Sequence, residues 1–393
     1  MARPPLEDAG IAVRDGEILD AAPWADLKAE NPGALTEDLG EVILLPGLIN
    51  AHCHLDYTMM RGALFGGGEF AGWIRRLNAI RRSLEPQDYL GAIASGLDEL
   101  VKWGCTTVLN IESIPEIIPL LPPSRIRVWW FLEVMDIRSR LESFEALAGA
   151  LGFLERAGEG IGGYGLSPHA PYTVSRDLYR LSSAFATRNR LPFCTHLAES
   201  PEEMEMFRDG GGPLHGFLKS LGRPMEDCGF RTPIQILLGE GLIPPGSLLV
   251  HMNELDSGDR ELLARDPNRH PVIHCPGTHA FFRRKPFDLE FFRSSGIPVL
   301  LGTDSLASNR DLDMFSEMRA MGEAFPGLDP WEILSMATVR PAAAIGQSGR
   351  VGELTPGALA DFIAVPDPGG GDSLAERILA NRTPPKVWVG GLP

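Results

Sequence analysis

The chain has 393 residues, 44% of them hydrophobic and 22% charged, with a formal net charge of −16. This is the composition of an ordinary globular protein, long enough for one large α/β barrel and a small second domain. The acidic balance argues against nucleic-acid backbones, which demand a basic surface, but not against a small anionic substrate met by a few local arginines.

No apolar run approaches the length needed to cross a bilayer, and the opening MARPPLEDAG lacks the basic and apolar regions of a signal peptide. Five cysteines at irregular positions (53, 105, 194, 228 and 275) form no disulfide framework. An odd count fits a reducing compartment, so the expectation is a cytoplasmic protein with no membrane partner.

From about residue 47, short β-rich runs alternate with longer segments of helical period, the pattern of a parallel α/β fold. The runs are LINAHCH (48–54), CTTVLNIES (105–113), RVWWFLEV (127–134), YGLSPH (164–169), PFCTHLAES (192–200), SLLVHMNEL (247–255), PVIHCP (271–276) and IPVLLGTDS (297–305). Eight such strands with helices between them predict a (β/α)8 TIM barrel rather than an open sheet. The glycine-rich stretch at Gly66–Gly68 reads as a loop above the first strand and a candidate lid.

The helices follow ordinary rules. Segment 86–103 opens with Pro86, carries Leu90, Ile93, Leu97, Leu100 and Val101 on its apolar stripe, and has Gly104 just past its end. Segment 175–190 starts at Ser175, a good N-cap, and places Leu178, Leu181 and Phe185 on one face. Segment 311–324 carries Leu312, Phe315 and Met318 at similar spacing. These stripes are core and need no functional explanation.

Histidine placement is informative. His52 and His54, separated by Cys53, point to the same face of the first strand. Alone, this pair suits two neutral metal ligands and two hydrogen-bonded core histidines about equally. His52, His54, His169, His196, His251 and His274 all fall at the C-terminal ends of predicted strands, with His279 shortly after. Barrel enzymes put their active sites at that face.

His52, His54, His196 and Asp304 complete one metal site on this reading, an imidazole-rich set suited to Zn2+, or to Fe2+ of similar size, with a position left for water. Such a water has its pKa lowered towards neutrality and becomes a nucleophile. Asp304 can also accept a proton from it, although taken alone an aspartate in LGTDS is equally a helix cap or turn residue. Glu199, three residues after His196, stands where a general acid/base must stand; its bland alternative is a solvated residue at the start of a 201–208 helix. His251 is the candidate for orienting the hydroxide, or else a buried histidine bonded to a loop. The fourth strand ends in His169 and offers no lysine for a carbamate bridge, so one metal is expected, not two.

Six fragments in this order, PGLINAHCH, SPHAPYTVS, THLAES, LLVH, HCP and LGTDS, resemble the amidohydrolase superfamily in its single-metal deaminase and chlorohydrolase branch. The resemblance implies the roles given above to His52, His54, His196, Asp304, Glu199 and His251, and implies that His169 contacts a substrate heterocycle. HCPGTHAFF, LGTDSLASNRDLDMFSEMR and FAGWIRRLN are most similar to the aminodeoxyfutalosine deaminases of menaquinone biosynthesis. Gly277 and Thr278 depart from that pattern, standing where an arginine and a serine are more familiar, and YTMMRG departs as well.

The substrate so implied is adenosine-like with a benzoate-bearing extension. Glu133 is a candidate for its ribose hydroxyls and His279 a further candidate contact. Arg61, Arg283, Arg284 and Arg310 are candidates for the carboxylate, each also readable as a solvated surface arginine. The resemblance further implies a small β-sandwich built from both ends, residues 1–46 and 347–393, around a barrel at 47–346. Asp15-Gly16 and Thr355-Pro356-Gly357 supply its turns. It also implies a small-molecule substrate and a homodimer. Deaminases of methylthioadenosine, adenosylhomocysteine, guanine or cytosine, or a chlorohydrolase, would use the same metal centre. A catalytically inactive scaffold is the reading from another class.

Overall fold

In the computed structural model the described residues are 5–137, 142–154, 162–367, 369 and 373–393. The first four residues of the opening decapeptide therefore lie outside them. Among the described residues thirteen strands run in chain order: β1 Ala9–Arg14, β2 Glu17–Pro23, β3 Val42–Pro46, β4 Leu48–Cys53, β5 Cys105–Glu112, β6 Arg127–Val134, β7 Gly162–Pro168, β8 Cys194–Leu197, β9 Leu248–His251, β10 Val272–His274, β11 Val299–Leu301, β12 Phe362–Pro366 and β13 Lys386–Trp388.

Strands β4–β5–β6–β7 and β8–β9–β10–β11 form two parallel runs. Parallel bridges Leu166–Phe193 and Cys53–Asp304 join their edges. The eight strands thus close into the expected barrel, and closure leaves no open edge. Inside, Ile49, Ala51, Leu109, Ile111, Phe131, Cys194, Val250, Ile273 and Leu300 fill the barrel, while a larger apolar layer lies between strands and helices.

The last barrel strands are shorter than the sequence runs because the chain leaves the ladder where the site begins. Ala198, His251, Met252 and Asp304 all take positive φ, at 50°, 76°, 48° and 57°. The helix at Arg176–Asn189 is capped by Ser175 as expected, but Leu181 is 38% exposed. Leu178, Tyr179, Ser182 and Ala186 make its buried face instead. Within Pro86–Lys102, Tyr89, Ala92 and Gly96 join Ile93, Leu97 and Leu100 in the core, and Leu90 and Val101 are only half-buried.

Both ends of the chain build the small sheets. β1 and β2 form a hairpin through Asp15 and Gly16, at φ 52° and 80°, the left-handed pair that a tight hairpin turn requires. β12 pairs antiparallel with both β3 and β13. Ile18, Ala358, Ala360, Phe362, Ala364 and Trp388 share one apolar cluster between them. Arg127 in barrel strand β6 ties the barrel to this unit: its Nε and Nη2 donate to the buried Asp361 carboxylate at 2.6 and 3.1 Å.

Candidate active site

The β4–β5 register shifts between Asn50 and Cys53, the interval that contains His52. Asn50 fills the gap. Its Oδ1 accepts the N–H groups of His52 and Thr303 at 3.2 Å, and its Nδ2 donates to Thr303 Oγ1 at 2.7 Å. Thr303 and Asp304 in turn donate their N–H groups to the His52 carbonyl at 3.1 and 3.0 Å. Gly302 permits this approach, since a Cβ there would lie 2.8 Å from both N and Cβ of His52. The last barrel strand is thereby fastened to the first, with Asp304 beside His52.

His54 follows β4 with its ring stacked on Tyr57. On β8, His196 donates both N–H and Nδ1–H to the His169 carbonyl, at 2.8 and 2.9 Å. A carbonyl only accepts, so Nδ1 carries the proton and Nε2 presents a lone pair. The Nε2 atoms of His52 and His54 each lie 3.2 Å from that nitrogen. Asp304 Oδ1 is 3.8 Å from His52 Nε2 and 3.9 Å from His54 Nε2.

Imidazoles bound tetrahedrally to one ion at about 2.0 Å have nitrogens roughly 3.3 Å apart. The three-histidine donor set fits a divalent metal on that measure, and among the described residues it is the one such group. Burial, and then the neighbouring histidines, lower all three imidazole pKa values, that of His196 to about 3. Each is therefore neutral and able to ligate. Burial also raises Asp304 to about 6.

His251 closes the other side, its ring centroid 5.4 Å from that of His196 and 5.9 Å from that of His52. Glu199 Oε1 stands 3.8 Å from His251 Nε2. The Glu199 backbone is fixed at both ends: its N–H donates to Glu203 Oε2 at 2.8 Å, and its carbonyl accepts from Asn253 Nδ2 at 3.1 Å. Burial, reinforced by Asp304, pushes the Glu199 carboxyl well above the usual range. A buried carboxyl of raised proton affinity thus stands beside a metal-competent cluster.

The amidohydrolase family model matches residues 43–392. The chain belongs to the amidohydrolase family. The aminodeoxyfutalosine deaminase of Deinococcus radiodurans is 33% identical over 359 residues, which covers 85% of this chain and 80% of that one. The 5-methylthioadenosine/S-adenosylhomocysteine deaminase of Syntrophobacter fumaroxidans is 29% identical over 375 residues, 92% of this chain and 80% of its own. Among solved structures, Helicobacter pylori aminofutalosine deaminase with bound methylthio-coformycin superposes with a TM-score of 0.86 at 24% identity, over 98% of this chain and 95% of that one. Zinc-bound atrazine chlorohydrolase of Arthrobacter aurescens gives 0.80 at 20% identity, over 98% and 90%.

This amidohydrolase carries an acidic corner next to the cluster. His169 Nε2 is 4.0 Å from Glu133 Oε1, and its Nδ1 is hydrogen-bonded to Thr173 Oγ1 at 2.6 Å. Burial raises Glu133 to about 7, with Arg81 opposing. Asp56 and Glu112 stand nearby, both buried and raised. His279 hydrogen-bonds Asn253 Oδ1 through Nδ1 at 3.1 Å, which links it to the residue that holds Glu199.

The four arginines separate. Arg61 pairs with Glu99 and donates to the Arg310 carbonyl. The Arg310 side chain is 77% exposed and pairs with Asp311, and Arg283 is exposed. Arg284 alone of the four is buried, at 8% side-chain exposure. Gly277 also finds its reason: a Cβ there would lie 2.5 Å from Asn309 Oδ1 and 2.6 Å from Glu317 Oε1. The space is taken by Glu317, which accepts from Gly277 N–H at 2.8 Å and Asn309 Nδ2 at 2.6 Å.

Asn50, Asn253 and Glu203 escaped the sequence reading. Their side chains work on backbone groups distant in sequence or turned by strand ends, and residue type carries no signal for that.

Proposed function

We propose that this amidohydrolase is a zinc-dependent hydrolytic deaminase of a 6-aminopurine nucleoside, with aminodeoxyfutalosine as its substrate in menaquinone biosynthesis. The observation that carries the chemistry is the Glu199–His251 pair standing beside the three-imidazole cluster. The substrate is taken from the 33% identical relative. His52, His54, His196 and Asp304 would hold the ion, and zinc suits so imidazole-rich a set. When bound, the metal supplies a polarised water of near-neutral pKa.

Glu199 then does the proton work. It takes a proton from the attacking water, delivers it to the purine ring nitrogen beside C6, and passes the second to the amine, which leaves as ammonia while the C6 carbonyl forms. His251, its ring centroid 5.4 Å from that of His196 and its Nε2 3.8 Å from Glu199 Oε1, would orient the attacking water. His169 and Glu133, 4.0 Å apart, would meet the heterocycle and ribose. All five cysteines are free and buried, which supports a reducing, cytoplasmic setting.

A second reading, deamination of methylthioadenosine or adenosylhomocysteine, is favoured by the run of relatives so named at 26–29% identity. Ammonia release by zinc-loaded protein on aminodeoxyfutalosine, methylthioadenosine, adenosylhomocysteine and adenosine decides between them. Preference for the first supports the proposal; equal or better turnover of the others replaces its substrate. No release from any would remove the deaminase reading.

A further inference from the structure

Arg284 brings its guanidinium to the meeting point of the loops after β4, β8 and β10. Its Cζ lies 4.8 Å from the Phe282 ring centre and 5.4 Å from that of Phe70. Nη1 stands 3.7 Å from Glu202 Oε2, and the other Glu202 oxygen already accepts the Phe70 N–H at 2.8 Å. Nε and Nη2 are buried with no hydrogen-bond partner among the described residues.

That pair of nitrogens is the side-on edge of the guanidinium fork, and this chain shows what it takes. In Arg127 it grips Asp361 at 2.6 and 3.1 Å, in Arg208 it grips Asp209 at 2.9 and 2.8 Å, and in Arg293 it grips Glu332 at 3.2 and 3.0 Å. Leaving two charged donors buried and unmet is costly. The cost falls within reach of the reaction, because the charge of Arg284 acts on Glu199, His251 and His279. An unmet buried group at a site calls for a partner that arrives with the substrate.

We propose that Arg284 is a specificity-determining residue whose Nε–Nη2 edge takes an oxyanion, a carboxylate, on the tail of the substrate. The proposal rests on the nucleoside reading above. The planar fork matches a carboxylate with two parallel bonds, and the low dielectric around the Phe70 and Phe282 rings strengthens the pair. A phosphate would meet the same edge, so the probes must separate the two.

The test compares zinc-loaded wild type with Arg284→Gln and Arg284→Lys on three substrates: aminodeoxyfutalosine with its carboxylate, methylthioadenosine with a neutral tail, and adenosine monophosphate. The wild type should prefer the carboxylate. In Arg284→Gln the ratio of kcat/KM between the first two should fall roughly 30-fold or more, as when one partner of a buried charged pair is lost. Lysine should not restore the ratio, since a point charge lacks the fork. If both substrates fall together and lysine rescues both, Arg284 merely balances Glu199, Glu202 and Glu203, and the proposal fails. A wild-type preference for the monophosphate also overturns it.

Calorimetric titration with benzoate gives a readout independent of turnover. Binding by wild type that disappears in Arg284→Gln supports the site; equal or absent binding in both rejects it. Benzoate binding that depends on Arg284, with no ammonia released from any substrate, would discard the nucleoside reading and leave the carboxylate site standing.

Discussion

Replacing Glu199 with glutamine isolates proton transfer from everything else at the site. The two side chains share size and shape, and the contacts that fix this residue are made by its backbone, to Glu203 and Asn253. The three imidazoles do not depend on it. Metal content and fold should therefore be unchanged. What disappears is a carboxyl whose proton affinity burial, and then Asp304, raise above the usual range. General acid–base catalysis of this kind contributes about 100- to 10,000-fold, or about 3–5 kcal/mol of barrier. The loss should approach the upper figure, because the same carboxyl serves both ring nitrogen and departing amine.

The assay is coupled ammonia release, with elemental analysis of the same sample. Expected are one metal per chain, an unchanged circular dichroism spectrum and kcat reduced at least 100-fold with little change in KM. A Glu199→Gln enzyme retaining a third or more of wild-type kcat would refute the proton-shuttle argument, since among the described residues Glu199 is the carboxylate that pairs with the His251 imidazole.

Removing a ligand behaves differently: His196→Ala should lose both turnover and bound metal in the same elemental analysis, because its Nε2 is the atom 3.2 Å from both other imidazoles. Glu133→Gln should stabilise the protein in alkaline buffer. A carboxyl held at about 7 in the fold against 4.5 when unfolded corresponds to about 3 kcal/mol of destabilisation once ionised. That penalty is fully present above pH 7 and vanishes as pH falls towards 4.5, so urea denaturation should show the gap between variant and wild type at pH 8 and none near pH 4.5; a pH-independent gap counts against it. Asp361→Ala strands the Arg127 guanidinium and the Gly390 N–H, which donates to Asp361 Oδ1 at 2.8 Å. Breaking such a buried pair costs about 3–5 kcal/mol, visible as a clear fall in the thermal midpoint with the metal site intact. Gly302→Ala should impair metal binding, because the new methyl meets His52 backbone and Cβ atoms that cannot yield.

The barrel was readable because each strand carries its own signal and the histidines recur at strand ends. His52 and His54 needed only the two-residue period; His196, His251 and Asp304 needed the strand count. The arginines were not separable in this way, because all four follow strand ends and have the same chemistry. Only the packing shows that Glu99 and the Arg310 carbonyl occupy Arg61 while the Arg284 fork stays unmet. Leu181 misled for a related reason: helical period places it near Leu178, yet the face that meets the barrel is centred on Tyr179 and Ser182. A stripe fixes which residues share a face, and its neighbours fix which part of that face is covered.

The departures from local rule have a common location. Ala198, His251, Met252 and Asp304 adopt left-handed backbone at the ends of β8, β9 and β11, a conformation that costs a non-glycine residue of order 1–3 kcal/mol. An extended strand would carry each next side chain onward along the barrel wall; the reversal turns it across the mouth. At Ala198 the carbonyl so exposed accepts both the Asn253 and Glu254 N–H groups at 3.0 Å, and Asn253 then holds Glu199 and His279. At Asp304 the His52 carbonyl receives the turned N–H. The bonds that repay the strain are the same bonds that place Glu199 and Asp304, so backbone geometry and site geometry are one constraint, imposed where the hydrophobic pattern of the strands has already ended.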